Sequence, residues 1–355
     1  MKVVTVIGNR PQFVKAAAVS GPLRAEHDEV LVHTGQHYDD ELSTIFVTEL
    51  GVPRPEVQLG LGGGTNTEQT ARMLAALGDL LREQAPDAVL VYGDTNSTLA
   101  GALAAAQLRI PLAHVEAGMR SYDRAMPEEL NRVLTDHLSD LLLVPSEAAA
   151  QNLALEGITD GVEIVGDVMV DVAQLVGPRA RADDGPLEAA GVRAGEYLLV
   201  TAHRAGNVDD PTRLLALVEL LLSLDAPVVL ALHPRTRSRL QDAGLLERLA
   251  AQTILLPPLG YRAFTSLLTR ARAVLTDSGG VQKEAYLAGV PCVTLRDSTE
   301  WVETVQAGWN TLVDLDAAAA RAALAKPPPG ERPELYGDGQ AAQRVVAAMT
   351  RLGSR

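Results

Sequence analysis

Apolar and polar positions follow two recurring patterns along this chain. Short runs of β-branched and aliphatic residues, the first at residues 3–7, are followed by turn residues and then by stretches with apolar positions at helical spacing, the first at residues 12–24. Pro11 fits the first turn of that helix, where a missing N–H costs nothing. The repeated succession of strand, turn and amphipathic helix predicts parallel sheets with crossover helices.

The first half of the chain contains five such strands. They are predicted at residues 3–7, 29–33, 88–92, 112–115 and 141–144, with helices at residues 67–83 and 97–108 between them. Residues 177–186 combine Gly and Pro with charged side chains and lack periodicity, so we interpret them as a connection between domains.

A second series of strands is predicted at residues 197–201, 228–232, 253–256, 273–276 and 292–295. The predicted fold class is therefore α/β, with two Rossmann-like doubly wound parallel-sheet domains. We assign residues 1–176 to an N-terminal domain, residues 187–335 to a C-terminal domain, and residues 336–355 to a last helix that packs back on the N-terminal domain. Open parallel sheets bind ligands at the carboxyl ends of their strands, which predicts an interdomain cleft.

Composition supports two domains and narrows the range of ligands. Of the 355 residues, 47% are hydrophobic and only 3% aromatic, so two aliphatic cores can form. The net charge of −14 argues against nucleic acid as a partner, because phosphate backbones attract clustered Lys and Arg. A phosphorylated small molecule remains compatible, since helix N-termini and a few Arg residues can hold a diphosphate.

Two further features indicate a cytoplasmic protein. The apolar run at residues 3–7 ends too early for a signal peptide, and no run approaches the roughly 18 apolar residues of a membrane span, so we expect no membrane partner. Cys292 is the only cysteine and lies inside an apolar run, which indicates a buried strand thiol rather than a nucleophile.

The segment at residues 273–285 predicts a strand, a turn of small residues and a helix. Ser278, Gly279 and Gly280 would let a diphosphate approach backbone N–H groups at the positive end of that helix. Glu284, one turn further along, could accept hydrogen bonds from ribose hydroxyls. The alternative is an ordinary tight turn with a solvated Glu.

Two acidic residues follow predicted strands in the first half. Asp94 and Glu116 are separated by one strand–helix–strand unit, so their carboxylates would emerge at the same sheet edge if the strands are neighbours. Like charge and apolar surroundings can raise a carboxyl pKa towards the range of general acid/base catalysis. The alternative is that Asp94 caps the next helix while Glu116 pairs with Arg120 or Arg124.

Other polar residues are candidates for the same chemistry. Glu128 and Glu129 open a helix, where one could pair with Arg132 and the other could face a ligand, and the spacing does not decide between them. His203 follows a strand of the second half, where an imidazole could contact a phosphate, although a lone His is more often structural. The His residues lack the spacing of zinc ligands, so we expect no metal.

Seven segments, in order, resemble those of the bacterial non-hydrolysing UDP-N-acetylglucosamine 2-epimerases. They are Gly8-Asn9-Arg10-Pro11-Gln12, Tyr92-Gly93-Asp94-Thr95, His114-Val115-Glu116-Ala117-Gly118, Pro127-Glu128-Glu129, His203-Arg204, Asp277-Ser278-Gly279-Gly280 and Tyr336-Gly337-Asp338-Gly339-Gln340. The resemblance spans about residues 2–344. It implies the glycosyltransferase-B (GT-B) architecture, a homodimer, and interconversion of UDP-N-acetylglucosamine and UDP-N-acetylmannosamine at C2.

The resemblance also implies a mechanism. UDP is eliminated to give a 2-acetamidoglucal and is then added back, with the proton returned to the other face of C2, and no cofactor is needed. The reaction requires a base, an acid on the opposite face, and electrostatic retention of UDP. Catalytic roles are implied for Asp94, Glu116, Glu128 and, at the diphosphate, His203. Substrate-binding roles are predicted for Arg10, Lys15, Arg132, Ser278, Gly279, Gly280, Glu284 and, in the uracil pocket, Phe264.

Three segments depart from the family's usual pattern. Residues 203–207 read His-Arg-Ala-Gly-Asn where His-Arg-x-Glu-Asn is expected, and residues 299–303 read Thr-Glu-Trp-Val-Glu where Thr-Glu-Arg-Pro-Glu is expected. Residues 36–39 only partly match a segment that binds a second UDP-N-acetylglucosamine in some relatives.

The departures leave the substrate open. Gln12, Phe13, Trp301 and residues 232–236 look more like the branch that includes 2-epimerases of UDP-2,3-diacetamido-glucuronic acid, which is therefore an alternative substrate. A GT-B glycosyltransferase, a non-catalytic UDP-sugar sensor and a hydrolysing epimerase that releases free sugar are further alternatives.

Overall fold

The computed structural model describes residues 1–36, 50–327 and 330–353. The chain forms two compact units, which we call unit 1 (Met1–Leu175 with Glu334–Arg355) and unit 2 (Val176–Pro333). Each unit is built on one parallel β-sheet, as the strand–turn–helix pattern predicted. Residues 37–39, part of the segment compared with a second ligand site, lie outside the described residues.

Unit 1 contains a seven-stranded parallel sheet with the order β3-β2-β1-β4-β5-β6-β7. Its strands are β1 Lys2–Ile7, β2 Asp28–His33, β3 Val57–Gln58, β4 Ala88–Tyr92, β5 Leu112–Val115, β6 Leu141–Val144 and β7 Val162–Ile164. Its helices include α1 Arg10–Glu26, α2 Asn66–Gln84, α3 Asn96–Leu108, α4 Pro127–Leu138 and α5 Glu147–Leu155, and α6 Val168–Arg181 begins in unit 1 and ends in unit 2. The central strands β4 and β5 are buried along their whole length, which is why β4 is a continuous apolar run and β5 is apolar except for His114.

Unit 2 contains a six-stranded parallel sheet with the order β10-β9-β8-β11-β12-β13. Its strands are β8 Leu198–Thr201, β9 Val228–Ala231, β10 Ile254–Leu256, β11 Ala273–Thr276, β12 Cys292–Thr294 and β13 Asn310–Leu312. Its helices are α7 Gly185–Ala190, α8 Ala205–Val208, α9 Pro211–Leu222, α10 Pro234–Asp242, α11 Leu246–Ala250, α12 Tyr261–Arg270, α13 Gly279–Ala288, α14 Val302–Gln306 and α15 Ala317–Leu324. Cys292 is a buried strand thiol, as predicted, and burial raises its pKa to about 12.

The last helix, α16 (Ala341–Leu352), belongs to unit 1 and contacts α1. The carboxylate of Asp171 accepts hydrogen bonds from the backbone N–H groups of Ala341 and Ala342 at 3.2 and 2.9 Å. An acidic side chain at a helix N-terminus satisfies N–H groups that have no partner within the helix. The contact fixes where α16 begins.

The structure differs from the sequence interpretation in two parts of the element pattern. The connection expected at residues 177–186 is largely helical, because α6 continues to Arg181 and α7 begins at Gly185. Val172, Val176 and Ala180 are buried at four-residue spacing, so packing of one helix face overrides the Gly and Pro in this stretch. The edge strands β3, β7 and β13 were not predicted, since they are two or three residues long and partly exposed.

Within the described part of the chain, none of the helices combines the length and apolarity that crossing a bilayer requires.

Candidate active site

Two carboxylates lie at the same edge of the unit 1 sheet. Strands β4 and β5 are hydrogen-bonded neighbours, with Tyr92 opposite Val115, so Asp94 and Glu116 follow the ends of adjacent strands. The carboxyl ends of parallel strands are where open α/β sheets bind their ligands. We call Asp94, Glu116 and Glu128 the acid cluster, because Glu128 also acts electrostatically on Asp94.

Two cations reach the acid cluster from helices of unit 1. Lys15 in α1 pairs with Glu116, and these side chains are only 11% and 12% exposed. Arg132 in α4 donates a hydrogen bond from Nη2 to Oδ2 of Asp94 at 2.5 Å. Arg10, the first residue of α1, is partly buried. The structure thus places two of the predicted substrate-binding cations directly against predicted catalytic carboxylates.

The pKa of Asp94 is raised above its ordinary value. Burial among protein atoms is the main cause, Arg132 opposes it, and the negative charges of Glu116 and Glu128 add to it. The Asp94 side chain is nevertheless 36% exposed, so a ligand can reach the carboxyl group from one side. A carboxyl that is easier to protonate than usual and still accessible is suited to proton transfer.

The alternative in which Asp94 caps the next helix is wrong. The N-cap of α3 is Thr95, whose side chain accepts a hydrogen bond from the backbone N–H of Thr98 at 3.3 Å. Because Thr95 caps the helix, the carboxylate of Asp94 does not. It contacts Arg132 and is available to a ligand.

The backbone of Glu116 is strained. Its φ angle is +70°, a left-handed conformation that costs an L-residue about 1–2 kcal/mol. Across from it, Gly93 has a φ of +62°, and a Cβ there would lie 3.3 Å from both Oε2 of Glu116 and Nζ of Lys15. Strain of this kind, held by surrounding contacts at an ionised side chain, indicates a functional position.

The structure separates the two adjacent acids that open α4. Glu129 is buried and accepts hydrogen bonds at 2.9 Å from the backbone N–H groups of Ser121 and Tyr122, and it pairs with Arg132 at 3.2 Å. Glu128 is exposed at the first turn of the helix. Glu129 therefore holds the preceding loop, and Glu128 is the one available to a ligand.

This difference predicts opposite outcomes for two conservative substitutions. Glu129→Gln should lower the free energy of unfolding by about 1–3 kcal/mol, because charge-assisted hydrogen bonds to buried groups are lost. Glu128→Gln should leave the thermal midpoint unchanged and lower turnover about 10²-fold. Thermal melts and steady-state rates of both variants test this, and equal destabilisation by the two substitutions would contradict it.

In unit 2, the predicted diphosphate site lies between β11 and α13. Ser278 is the N-cap of α13, and its backbone N–H donates to Oγ1 of Thr276 at 3.0 Å. Strand β11 is paired with β8, with Thr276 opposite Thr201, so His203 follows the adjacent strand end. The structure therefore brings His203 and the start of α13 to one edge of the unit 2 sheet, where the helix dipole favours an anion.

The two glycines at the start of α13 are not equivalent. A Cβ at Gly279 would lie 1.9 Å from Oε1 of Glu300, whose carboxylate pairs with Arg296 at 2.9 Å. A Cβ at Gly280 would have Oγ of Ser278, at 3.9 Å, as its nearest described atom. A Cβ at Gly279 therefore requires the Glu300 side chain to move, whereas one at Gly280 would meet no close neighbour.

A pair of alanine substitutions tests this contrast. Gly279→Ala should destabilise the protein by about 1–3 kcal/mol, because Glu300 must move. Gly280→Ala should keep or slightly raise the thermal midpoint, since Ala favours a helix over Gly by about 0.5–1 kcal/mol. Titration calorimetry with UDP should show weaker binding for both, since an added methyl group or a displaced Glu300 would hinder the approach of a diphosphate to the backbone N–H groups of the predicted site. Equal thermal midpoints for the two variants would contradict the distinction.

A buried carboxylate organises the turn that carries His203. Asp277 accepts hydrogen bonds from the backbone N–H groups of His203 and Arg204 at 3.1 and 3.0 Å, and from the amide of Asn207 at 3.1 Å. The imidazole of His203 stacks on His233 with ring centroids 5.4 Å apart. Its Nδ1 lies 3.7 Å from Oδ1 of Asp277, and the side chain is 40% exposed, so a ligand can reach the imidazole from the exposed side.

Two other predicted contacts lie on helices of unit 2. Phe264 in α12 is 7% exposed and belongs to an apolar cluster with Tyr197, Leu267 and Ala285. Most of its ring is therefore used by the core, and a role in a uracil pocket stays a prediction. Glu284 is partly exposed on α13.

The sequence interpretation missed a buried cation in unit 2. The ammonium of Lys283 lies 4.3 Å from the centroid of the Trp301 ring. Burial raises the pKa of Glu303, and the charge of Lys283 partly opposes this. The available signal was a Lys in the first half of α13, where the helix dipole disfavours a cation. Among the described residues, no group of three or more His, Cys, Asp or Glu side chains is placed to hold a metal ion.

Comparisons with known proteins agree along nearly the whole chain. The sequence pattern of the UDP-N-acetylglucosamine 2-epimerase family matches residues 23–350. The chain is 47% identical to the UDP-2,3-diacetamido-2,3-dideoxy-D-glucuronate 2-epimerase of Pseudomonas aeruginosa, over 99% of this chain and 100% of that protein. The crystal structure of the Methanocaldococcus jannaschii UDP-GlcNAc 2-epimerase with UDP-GlcNAc and UDP is similar with a TM-score of 0.92 and 39% identity, over 99% and 100% of the two chains.

A more distant likeness concerns the fold alone. The structure of Phytolacca americana UGT2 with UDP-2-fluoro-glucose and pterostilbene has a TM-score of 0.56 and 15% identity, over 99% of this chain and 94% of that one. The two parallel α/β sheets with this likeness confirm the predicted GT-B-like two-domain fold.

Proposed function

This chain belongs to the UDP-N-acetylglucosamine 2-epimerase family and is a UDP-sugar 2-epimerase, and from that premise we propose that its preferred substrate is UDP-2,3-diacetamido-2,3-dideoxy-D-glucuronate. UDP-N-acetylglucosamine, the substrate first predicted from the resemblance, becomes the second candidate. The observation that carries this choice is the 47% identity over full length to an enzyme of that name, against 39% to a UDP-GlcNAc 2-epimerase of known structure.

The structure of unit 2 supports this choice at one position. Trp301 stands where the usual family pattern has Arg, and its ring is 5% exposed under the ammonium of Lys283. At this position a packed aromatic ring, with Lys283 as its buried partner, stands in place of a cation that faces the ligand in the usual family pattern. A change of this kind supports a substrate that differs in its sugar.

The acid cluster supports the reaction type. Removal of a proton from C2 with departure of UDP from C1 gives an unsaturated sugar, and return of UDP with a proton on the opposite face of C2 gives the epimer. We assign these proton transfers to Asp94, Glu116 and Glu128, because they are adjacent and the pKa of Asp94 is raised. A glycosyltransferase, which leaves C2 untouched, has no use for three such groups.

We assign retention of UDP to unit 2. The start of α13 offers backbone N–H groups at the positive end of a helix, and His203 lies at the adjacent strand end. UDP must stay bound while the sugar is unsaturated, since its loss would release the intermediate. The roles of Arg10, Lys15, Arg132, Phe264 and Glu284 in binding the UDP-sugar are part of the same proposal.

Incubation in D₂O without any acceptor tests both substrate and reaction type. Deuterium should enter C2 of UDP-2,3-diacetamido-2,3-dideoxy-D-glucuronate, with kcat/KM at least about tenfold above that for UDP-N-acetylglucosamine, equivalent to about 1.4 kcal/mol. Equal or higher kcat/KM for UDP-N-acetylglucosamine would overturn the substrate. UDP binding without exchange on either sugar would support the sensor, and free sugar with UDP would support a hydrolysing enzyme.

We also propose a homodimer, as the resemblance implied. Helix α4 turns a polar face inward, including Arg132 and Asp136, and leaves Leu130 and Leu134 exposed by 43% and 49%. Apolar side chains one turn apart on an exposed face fit an interface between subunits. A solution mass by light scattering of twice that of one chain would support the dimer, and that of a single chain would contradict it.

A further inference from the structure

A buried charged network lies next to the acid cluster in unit 1. The side chains of His114, Asp136 and Arg120 are at most 1% exposed. Arg120 donates to Asp136 at 2.7 Å and to Glu156 at 2.7 Å. Burying charges has a large desolvation cost, which is offset only when every charge is paired and hydrogen-bonded. We therefore expect a role of this network beyond stability.

Both ring nitrogens of His114 face hydrogen-bond acceptors. Nδ1 lies 2.7 Å from Oδ1 of Asp136, and Nε2 lies 2.7 Å from the carbonyl oxygen of Gly93. Burial acts to raise the pKa of Asp136, but its hydrogen bonds with His114 and Arg120 outweigh burial and hold that pKa below its usual value. With an ionised carboxylate on one side and a carbonyl on the other, both bonds form only when the ring carries two protons.

The network fixes the backbone on both sides of Glu116. His114 is two residues before it, and Gly118, two residues after it, donates its N–H to Oδ2 of Asp136 at 3.1 Å. A Cβ at Gly118 would lie 2.4 Å from the carbonyl oxygen of Ala149, so this turn has little room to shift. The left-handed conformation of Glu116 is thus held from both ends by one carboxylate.

The same network also holds the backbone that leads to Asp94. Gly93, whose carbonyl oxygen accepts the hydrogen bond from His114, is the residue directly before it. One imidazole and one carboxylate therefore fix the main chain of both catalytic positions, although neither reaches a ligand from its buried place.

We propose that His114 and Asp136 are positioning residues for the acid–base reaction: they fix the spacing of Asp94 and Glu116 and place a buried positive charge beside them. This inference rests on the proposed function for its kinetic readout. Misplacement of a reacting group by about 1 Å can cost roughly 10²-fold in rate. The network thus acts on turnover and leaves the nucleotide site of unit 2 untouched.

Two substitutions of His114 separate its two hydrogen bonds. The Nδ2 of Asn occupies the place of Nδ1, so His114→Asn keeps the bond to Asp136 and loses the one to Gly93. The Nε2 of Gln occupies the place of Nε2, so His114→Gln keeps the bond to Gly93. We expect His114→Asn to lower kcat for C2 deuterium exchange about 10–100-fold, with KM and UDP affinity within about threefold of wild type, and His114→Gln to recover part of that loss.

Asp140→Ala is the matched control. It removes the hydrogen bond that the Leu112 backbone N–H donates to the Asp140 carboxylate at 2.9 Å, which lies in the same strand as His114 but at the end of β5 away from the acid cluster. Its kcat should equal that of wild type, with all rates measured below the thermal midpoints of all variants. Equal kcat for His114→Asn and Asp140→Ala, or a parallel loss of kcat and UDP affinity, would overturn the inference.

A measurement that does not depend on turnover tests this inference separately from the proposed function. In ¹⁵N spectra of the full chain at neutral pH, the ring of His114 should show two protonated nitrogens, and the signals should vanish in His114→Gln. A neutral ring would overturn the inference whatever the substrate. Absence of C2 exchange in wild type on every UDP-sugar, with a doubly protonated ring, would instead overturn the proposed function alone.

Discussion

Asp94→Asn should lower turnover of the UDP-sugar about 10²-fold or more, with UDP affinity almost unchanged. The substitution keeps the shape of the side chain and an oxygen for the hydrogen bond from Arg132. It removes the negative charge and the ability to gain and lose a proton. Rates of C2 deuterium exchange give turnover, and titration calorimetry with UDP gives affinity.

Asp123→Asn is a control for Asp94→Asn. Asp123 is an exposed acid of the same unit, and its carboxylate accepts a hydrogen bond from the backbone N–H of Ala125 at 3.0 Å. Its substitution should leave both quantities at wild-type values. If Asp94→Asn instead weakened UDP binding and kept turnover, the residue would be a ligand contact and would have no role in proton transfer.

Glu116→Gln should also lower turnover about 10²-fold or more while UDP binding persists. Glu116 is held against Lys15 and is mostly buried, so its carboxylate is fixed in place before a ligand arrives. Gln keeps the size of the side chain and can still accept a hydrogen bond from Lys15. Loss of the negative charge and of the titratable group is therefore the main change.

Lys15→Gln provides the contrast, since it breaks the same ion pair from the other side. Lys15 is proposed to contact the nucleotide, so this variant should weaken UDP binding in the calorimeter. If both variants lost UDP affinity to the same extent and kept turnover, Glu116 would serve only to neutralise Lys15.

The features of the fold that depend on consecutive residues, such as buried strands and the residues at their ends, could be predicted from the sequence. The central strands β4 and β5 could be predicted because burial on both faces makes β4 a continuous apolar run and leaves β5 apolar except for His114. Asp94 and Glu116 could be placed at strand ends for the same reason. Edge strand β7 was not predicted because its partly exposed residues do not form an apolar run. The end of α6 was interpreted as a connection because Gly177 and Pro178 are residues that usually interrupt helices.

The sequence could not predict which polar side chains meet across the fold. His114 is an unremarkable member of a strand until Asp136, 22 residues later on α4, is brought against it. Likewise, Glu128 and Glu129 differ only in the direction that α4 gives them. That helix buries Glu129, Arg132 and Asp136 and exposes Leu130 and Leu134, so an orientation inferred from apolar spacing would have been wrong.

The left-handed backbone at Glu116 bears on how this enzyme could be engineered. Glycine accepts that conformation without cost, and a buried ion pair such as Lys15 with Glu116 can often be exchanged for apolar packing with no loss of stability. A library screened only for expression and heat resistance would therefore accumulate replacements at position 116 and its partner. Selection for yield would then discard a residue to which we assign a role in proton transfer.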